Sequence, residues 1–211
     1  MAIYHLSVKV ITRATGRSAT AAAAYRAGEK IRDNRTGQIF DYTRKKEVSY
    51  RRIFTPPNAP QWMKDREQLW NAVEQSETRK DAQVAREIEV ALPIELSPSQ
   101  HIILLERFVH TQLTSKGMIA DVVIHNKKNN PHAHILLTTR EINVTNDGFG
   151  KKNRDWNSKG QLDEWREQWA KHCNRRLSVA CSQSRIDHRS LKVQGLDQIP
   201  TVPVSYTHLR A

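Results

Sequence analysis

The segment "MIADVVIHNKKNNPHAHILLTTR" (118–140) constrains this chain more than any other. Two apolar, β-branched runs are separated only by the polar residues "NKKNNP". A parallel pair needs a crossover of about a dozen residues or more, so the two runs are predicted to be antiparallel neighbours joined by a hairpin-type connection. Alternation along a strand then puts His132, His134 and Leu136 on one face and Ala133, Ile135 and Leu137 on the other. His125 closes the preceding strand, where its neighbour brings it within coordination distance. This His-x6-His-x-His pattern can supply three imidazoles to one side of a metal ion and leave other positions open, the arrangement of a catalytic rather than a structural site. For the His132/His134 pair taken alone, two polar residues on a half-exposed strand is an equally good reading.

The rest of the chain alternates helices with strands. "IYHLSVKVI" (3–11) reads as a strand, and Ser18 as the N-cap of a helix over "ATAAAAYRAGEK". Residues 33–54 read as a polar hairpin excursion, and a helix is expected from Pro60 with Trp62, Leu69, Trp70 and Val73 as its buried stripe. "REIEVALP" (86–93) is a strand with Ile88, Val90 and Leu92 on one face and Glu87 and Glu89 on the other. Ser97-Pro98 starts a further helix. "DGFGKKNRDWNSKG" reads as a basic loop, and a long amphipathic helix carrying Leu162, Trp165, Trp169 and Leu177 follows. The predicted class is α+β, a central antiparallel sheet flanked by helices.

The formal charge of +12 points to a polyanionic partner, nucleic acid ahead of membrane. It is concentrated in residues 1–60, with twelve Lys/Arg against four Asp/Glu. No apolar run approaches the ~18 residues of a membrane span, so no membrane insertion is expected. Cys173 and Cys181 fit neither a disulfide framework nor a zinc knuckle, and a reducing cytoplasm is the simplest setting. A metal in a basic protein suggests phosphate chemistry. Either an activated water or a side chain must then attack phosphorus, and Tyr25 is a candidate nucleophile, although composition alone favours reading it as a packing residue.

"MAIYHLSVKV", "SATAAAAYRAGEKIRD", "REIEVALP", "HNKKNNPHAHILLTTR", "NRDWN" and "RIDHRSL", in this order, resemble the relaxase domain of the MobA/MobL plasmid mobilisation proteins, within the histidine–hydrophobic–histidine endonuclease superfamily. The resemblance implies an enzyme that nicks one DNA strand at a plasmid transfer origin and later rejoins it. Tyr25 matches the family nucleophile, which forms a 5′-phosphotyrosine link, and His125, His132 and His134 match the metal-binding triad. It implies Mn²⁺ or Mg²⁺, with Zn²⁺ as another occupant that imidazole ligands suit. Glu87 or Glu89 is expected to orient a triad imidazole. Arg13, Arg17, Lys151, Lys152 and Arg154 are expected to contact DNA, with Trp156 as a stacking surface. The implied partners are single-stranded and hairpin DNA at the origin, with accessory mobilisation proteins and a coupling protein, and the implied setting is a monomer in the bacterial cytoplasm. Two alternatives stand beside this reading: a replication initiator or transposase nuclease of the same superfamily, and a non-catalytic zinc-containing DNA-binding protein. The relaxase domain is expected over 1–203. "VSYTHLRA" (204–211) resembles a translated sequencing adapter, which would leave the native C-terminal region missing.

Overall fold

The computed structural model describes residues 2–127, 130–143, 145, 148–190 and 192–195. The turn inside "NKKNNP" and the tail from 204 lie outside the described residues. The chain runs β1 (Leu6–Thr12), α1 (Ala19–Ala27), β2 (Lys30–Arg32), β3 (Ile39–Asp41), β4 (Val48–Phe54), α2 (Arg66–Ser76), β5 (Gln83–Ala91), α3 (Pro98–Gln112), β6 (Ala120–Lys127), β7 (Asn130–Leu137), β8 (Arg140–Asn143), β9 (Gly148–Lys152) and α4 (Lys159–Val179). The fold is α+β. Its centre is a five-stranded, fully antiparallel sheet in the order β1-β5-β7-β6-β4.

Local chemistry sets the helix ends. The Ser18 side chain accepts from Ala21 N–H at the start of α1. Ser97 and Gln100 form a reciprocal capping box at the start of α3, with Pro98 in the first turn. The helix expected from Pro60 starts later: Gln61–Lys64 makes a 3₁₀ turn, and Asp65, in extended conformation, then caps α2 through Gln68 N–H. Residues 33–54 are not one excursion. Only β2 and β3 pair with each other, while β4 joins the central sheet against β6. An edge strand is solvated along one side, so a polar sequence can occupy it. The expected loop at 147–160 contains β9, which pairs with β8.

Each face of the sheet has its own core. Against α3 and α4 lie Leu6, Ile88, Val90, Val122, Ile124, Ala133, Ile135 and Leu137, with Phe108, Trp165, Trp169 and Leu177 closing over them. Against α1 and α2 lie Ile11, Leu136 and Ile119, with the alanines of α1 and Leu69, Trp70 and Val73 of α2. Polar residues share this second face. Asp121 is buried, but Arg66 of α2 grips both of its oxygens at 2.8 Å and the Trp70 indole N–H donates to it at 2.9 Å. The histidines stand further along this same face.

Candidate active site

Strand register assembles the histidines. His125 pairs directly with His132 across β6 and β7, and His134 follows two residues on, on the same face. Their ring centroids are 4.7 to 5.3 Å apart, and one ligand atom from each lies within 4.8 Å of the others. His125 is buried; His132 and His134 are half-buried.

The partners of the rings fix which nitrogens carry hydrogen. His125 Nε2 is 2.8 Å from the Arg26 carbonyl, His132 Nδ1 is 2.9 Å from the Asn130 carbonyl, and His134 Nδ1 is 2.8 Å from Glu87 Oε1. Carbonyl and carboxylate oxygens only accept, so each of these nitrogens is the N–H donor. In the neutral rings the lone pair then falls on Nδ1 of His125 and on Nε2 of His132 and His134. Burial pushes the His125 imidazole down to about 4, with nearby His134 and Lys45 adding to the fall; burial likewise lowers His132. Both rings are therefore neutral at physiological pH. Neutral imidazoles whose second N–H is held by an oxygen are the donor set a divalent transition metal takes, and these residues fit one.

Glu87 is the pivot beneath them. It is buried on β5, and Arg26 of α1 grips it with Nε on Oε1 and Nη2 on Oε2. Burial alone would raise its pKa, but the hydrogen bonds from His134 and Arg26 outweigh it and bring the carboxyl down to about 2. It is thus an anion that both docks α1 on the sheet and fixes one imidazole. Glu89 shares its strand face and pairs in register with His134, yet its carboxylate turns to Lys9 at 3.4 Å, where both side chains are partly exposed.

Tyr25 precedes Arg26 in α1 and is exposed, at 49 %. Its ring meets the edge of Tyr42 at a centroid distance of 5.2 Å, and Lys45 Nζ sits 3.9 Å from its centroid. Lys45 also donates to the Tyr25 carbonyl at 3.0 Å and pairs with Glu47 at 3.2 Å; Glu47 Oε1 lies 3.8 Å from His125 Nδ1. Gly28 makes this packing feasible. It ends α1 in the left-handed region (φ 62°), and a Cβ there would lie 3.3 Å from Val48 Cγ2 and 3.4 Å from Lys45 Cβ. The 45–48 segment therefore runs tight against the end of the helix, linking the tyrosine to the histidines.

Arg26, Lys45 and Glu47 escaped the sequence reading. A glutamate on a strand face otherwise directed at the core demands a cation, which is a signal for some partner to Glu87 but not for Arg26 in particular. Nothing local marks Lys45 or Glu47, which reach the site through the pairing of Val48 with His125.

The expected DNA-contacting residues are dispersed. Arg17 is exposed and lines an open cleft of about 470 Å³ with Arg35 and Lys80. Arg13 is a correction: its guanidinium is spent on the Glu74 carboxylate and on the carbonyls of Glu74, Glu77 and Arg79. Trp156 is a second correction, because it is buried in the α3/α4-side core and presents no stacking face. Lys151 and Arg154 are exposed, while Lys152 binds Glu77 at 2.9 Å and the Gln83 carbonyl at 2.7 Å. Gln83 opens β5, whose other end pairs with His132, so Lys152 does not flank the histidines as expected.

The sequence profile described as the MobA/MobL family matches residues 17–208. The chain is 37 % identical over 96 % of its length to "Probable conjugal transfer protein TraA" of Sinorhizobium fredii, of which it covers 21 %. It is 36 % identical over 98 % of its length to "Probable mobilization protein MobA" of Bifidobacterium longum, of which it covers 44 %. The chain thus spans less than half the length of either relative. A solved structure reported under "Molecular Basis of Vancomycin Resistance Transfer in Staphylococcus aureus" superposes with a TM-score of 0.85 at 38 % identity, covering 90 % of this chain and all of that one.

Proposed function

Because the chain belongs to the MobA/MobL family, we propose that it is a relaxase, a DNA strand transferase that nicks and rejoins one strand at a plasmid transfer origin. The observation that carries this reading is the clustering of three imidazoles, a ring nitrogen of each within 4.8 Å of the others, beside the helix of Tyr25: His125 meets the carbonyl of Arg26, the next residue. The names of the relatives, conjugal transfer and mobilisation proteins, support it.

In this reading the Tyr25 hydroxyl oxygen attacks the scissile phosphorus. A Tyr–O–P bond forms, the P–O3′ bond breaks, the phenolic proton leaves, and the departing 3′ oxygen is protonated to a free 3′-OH. The 5′-phosphotyrosine conserves the phosphodiester energy, so reversal by a 3′-OH rejoins the strand without a nucleotide cofactor. His125, His132 and His134 would hold the divalent cation, Mn²⁺ or Mg²⁺ with Zn²⁺ as another occupant. When bound, the ion supplies charge stabilisation on the phosphate oxygens. Glu87 keeps the His134 lone pair aimed at that ion, and Arg26 keeps Glu87 ionised and α1 seated. Lys45, over its face, and Tyr42, in a T-shaped contact, hold the Tyr25 ring. Of the residues expected to contact DNA, Arg17, Lys151 and Arg154 are the exposed cations that would meet origin DNA in single-stranded and hairpin form. No described helix is long and apolar enough to cross a membrane; the reading as a relaxase sets the reaction in the bacterial cytoplasm.

The test is a labelled single-stranded oligonucleotide carrying a cognate origin, incubated with the chain and Mn²⁺ or Mg²⁺, with the covalent adduct resolved on a denaturing gel. Tyr25→Phe should lower adduct formation by about a thousandfold or more while leaving DNA binding intact. An adduct of undiminished yield from Tyr25→Phe would remove the nucleophile assignment.

A further inference from the structure

On the far side of the sheet from the histidines, a cleft of about 290 Å³ lies between α3 and α4. Leu104, Arg107 and Thr111 line it from α3, and His172, Arg175, Arg176 and Val179 from α4. Among the described residues, Arg107, Arg175 and Arg176 meet no carboxylate, and Arg176 Nε is a buried donor without a hydrogen-bond partner. Of the other described arginines, Arg13, Arg26, Arg66 and Arg140 each grip an acid, whereas Arg17, Arg86 and Arg154 do not; what marks the cleft is that three such arginines line one concavity. Guanidiniums that share a concave, partly apolar surface repel one another more than they would in open water, and an acceptor is missing. The negative end of the α4 dipole accounts for Arg176 in its last turn, but not for Arg107 in the middle of α3.

We propose that this cleft is a docking site for an acidic, amphipathic segment of a protein partner. Three features favour that occupant over a nucleic acid strand. The floor is aliphatic, with Leu104 buried beneath and Val179 at the rim 65 % exposed, so the ligand must offer apolar side chains as well as anions. The walls are the sides of two helices, whose backbone N–H groups are used internally, so phosphates would find no main-chain donors there. The cleft also faces away from Tyr25 and the histidines across the sheet, so a partner seated in it leaves the nicking site clear. An acidic helix with apolar residues at i, i+3 and i+4 matches this combination. His172 adds no charge to it, since burial, then Arg175 and Arg107, hold its pKa below the ordinary value.

The test uses methyl-labelled full chain and a synthetic peptide, acetyl-Leu-Glu-Glu-Leu-Leu-Glu-Glu-Leu-amide, beside its analogue with Gln at every Glu and a short oligothymidylate. The acidic peptide should shift the Leu104 and Val179 methyl resonances saturably. Its affinity should fall on the order of tenfold for the Arg107→Gln/Arg175→Gln double variant, and similarly when the Gln analogue meets the unaltered chain. Oligothymidylate should leave both methyls unmoved. The proposal is overturned if the two methyls do not shift, if the Gln analogue binds as well as the acidic peptide, or if oligothymidylate moves them, which would make the cleft a nucleic-acid surface. The Gln-analogue arm needs no variant, so it decides the matter even if the double variant folds poorly.

Discussion

The two faces of the central sheet are built from alternate residues of the same strands and behave oppositely. On β7, Ala133, Ile135 and Leu137 face α3 and α4 within a continuous apolar core, whereas His132 and His134 face α1. On β5, Ile88 and Val90 point one way, Glu87 and Glu89 the other. The first face is built chiefly on volume and shape, with Arg86 as its buried charge, held by the Trp156 carbonyl. The second buries charge, and three of its deep carboxylates are gripped by arginines: Asp121 by Arg66, Glu87 by Arg26, Glu74 by Arg13. The lesson is a division of labour in which the apolar face stabilises the strands strongly enough for the other face to hold chemistry.

Breaking the apolar face should have the largest effect. Ile135→Asp places an unpaired carboxylate at a fully buried position; it is expected to cost about 4 kcal/mol or more, seen as loss of the cooperative urea transition. A native transition near the original midpoint would contradict the assignment of stability to that face.

Next comes the pair that joins the faces to the helix. Arg26→Met strands Glu87, and urea unfolding should reveal a loss of roughly 3–5 kcal/mol. The acid limb should change as well. Glu87 is depressed from 4.5 to about 2 in the folded chain, so its stabilisation is full above the ordinary carboxylate range and is lost as pH falls through that window. In Arg26→Met that part of the stability–pH curve should flatten; an unchanged curve would count against the pair as the cause.

The smallest effects compare two acids on one strand face. Glu87→Gln should weaken Mn²⁺ binding about 10–100-fold by calorimetry, because the His134 N–H loses its anionic acceptor. Glu89→Gln removes a partly exposed contact with Lys9 and a through-space charge on His132, but no hydrogen bond to a ring; it should change stability by less than about 1 kcal/mol and Mn²⁺ affinity by less than Glu87→Gln does. Equal effects from the two would erase the distinction between them.

Period-two patterning made much of this legible in advance. The facing of His132 and His134, the antiparallel pairing of their strand with the one that ends in His125, the Ser18 and Ser97 caps, and the apolar side of β5 all follow from local rules. What local rules could not give was pairing across long sequence separation. Arg13 looks like a loop cation until Glu74, on α2, takes it up. Trp156 looks exposed in a basic stretch until it packs beside Gly117, and the Arg86 guanidinium takes its carbonyl. The polar strand β4 looked peripheral because its partner, β6, lies some 70 residues on, and with it went Lys45 and Glu47.

The central claim is that His125, His132 and His134 together hold one divalent cation beside Tyr25. Pulsed electron paramagnetic resonance on the Mn²⁺-loaded chain reads imidazole nitrogens directly. The account predicts nitrogen couplings from three rings, one set lost with each of His125→Ala, His132→Ala and His134→Ala. A Mn²⁺ signal without nitrogen couplings, or one unchanged in the triple alanine variant, would contradict it.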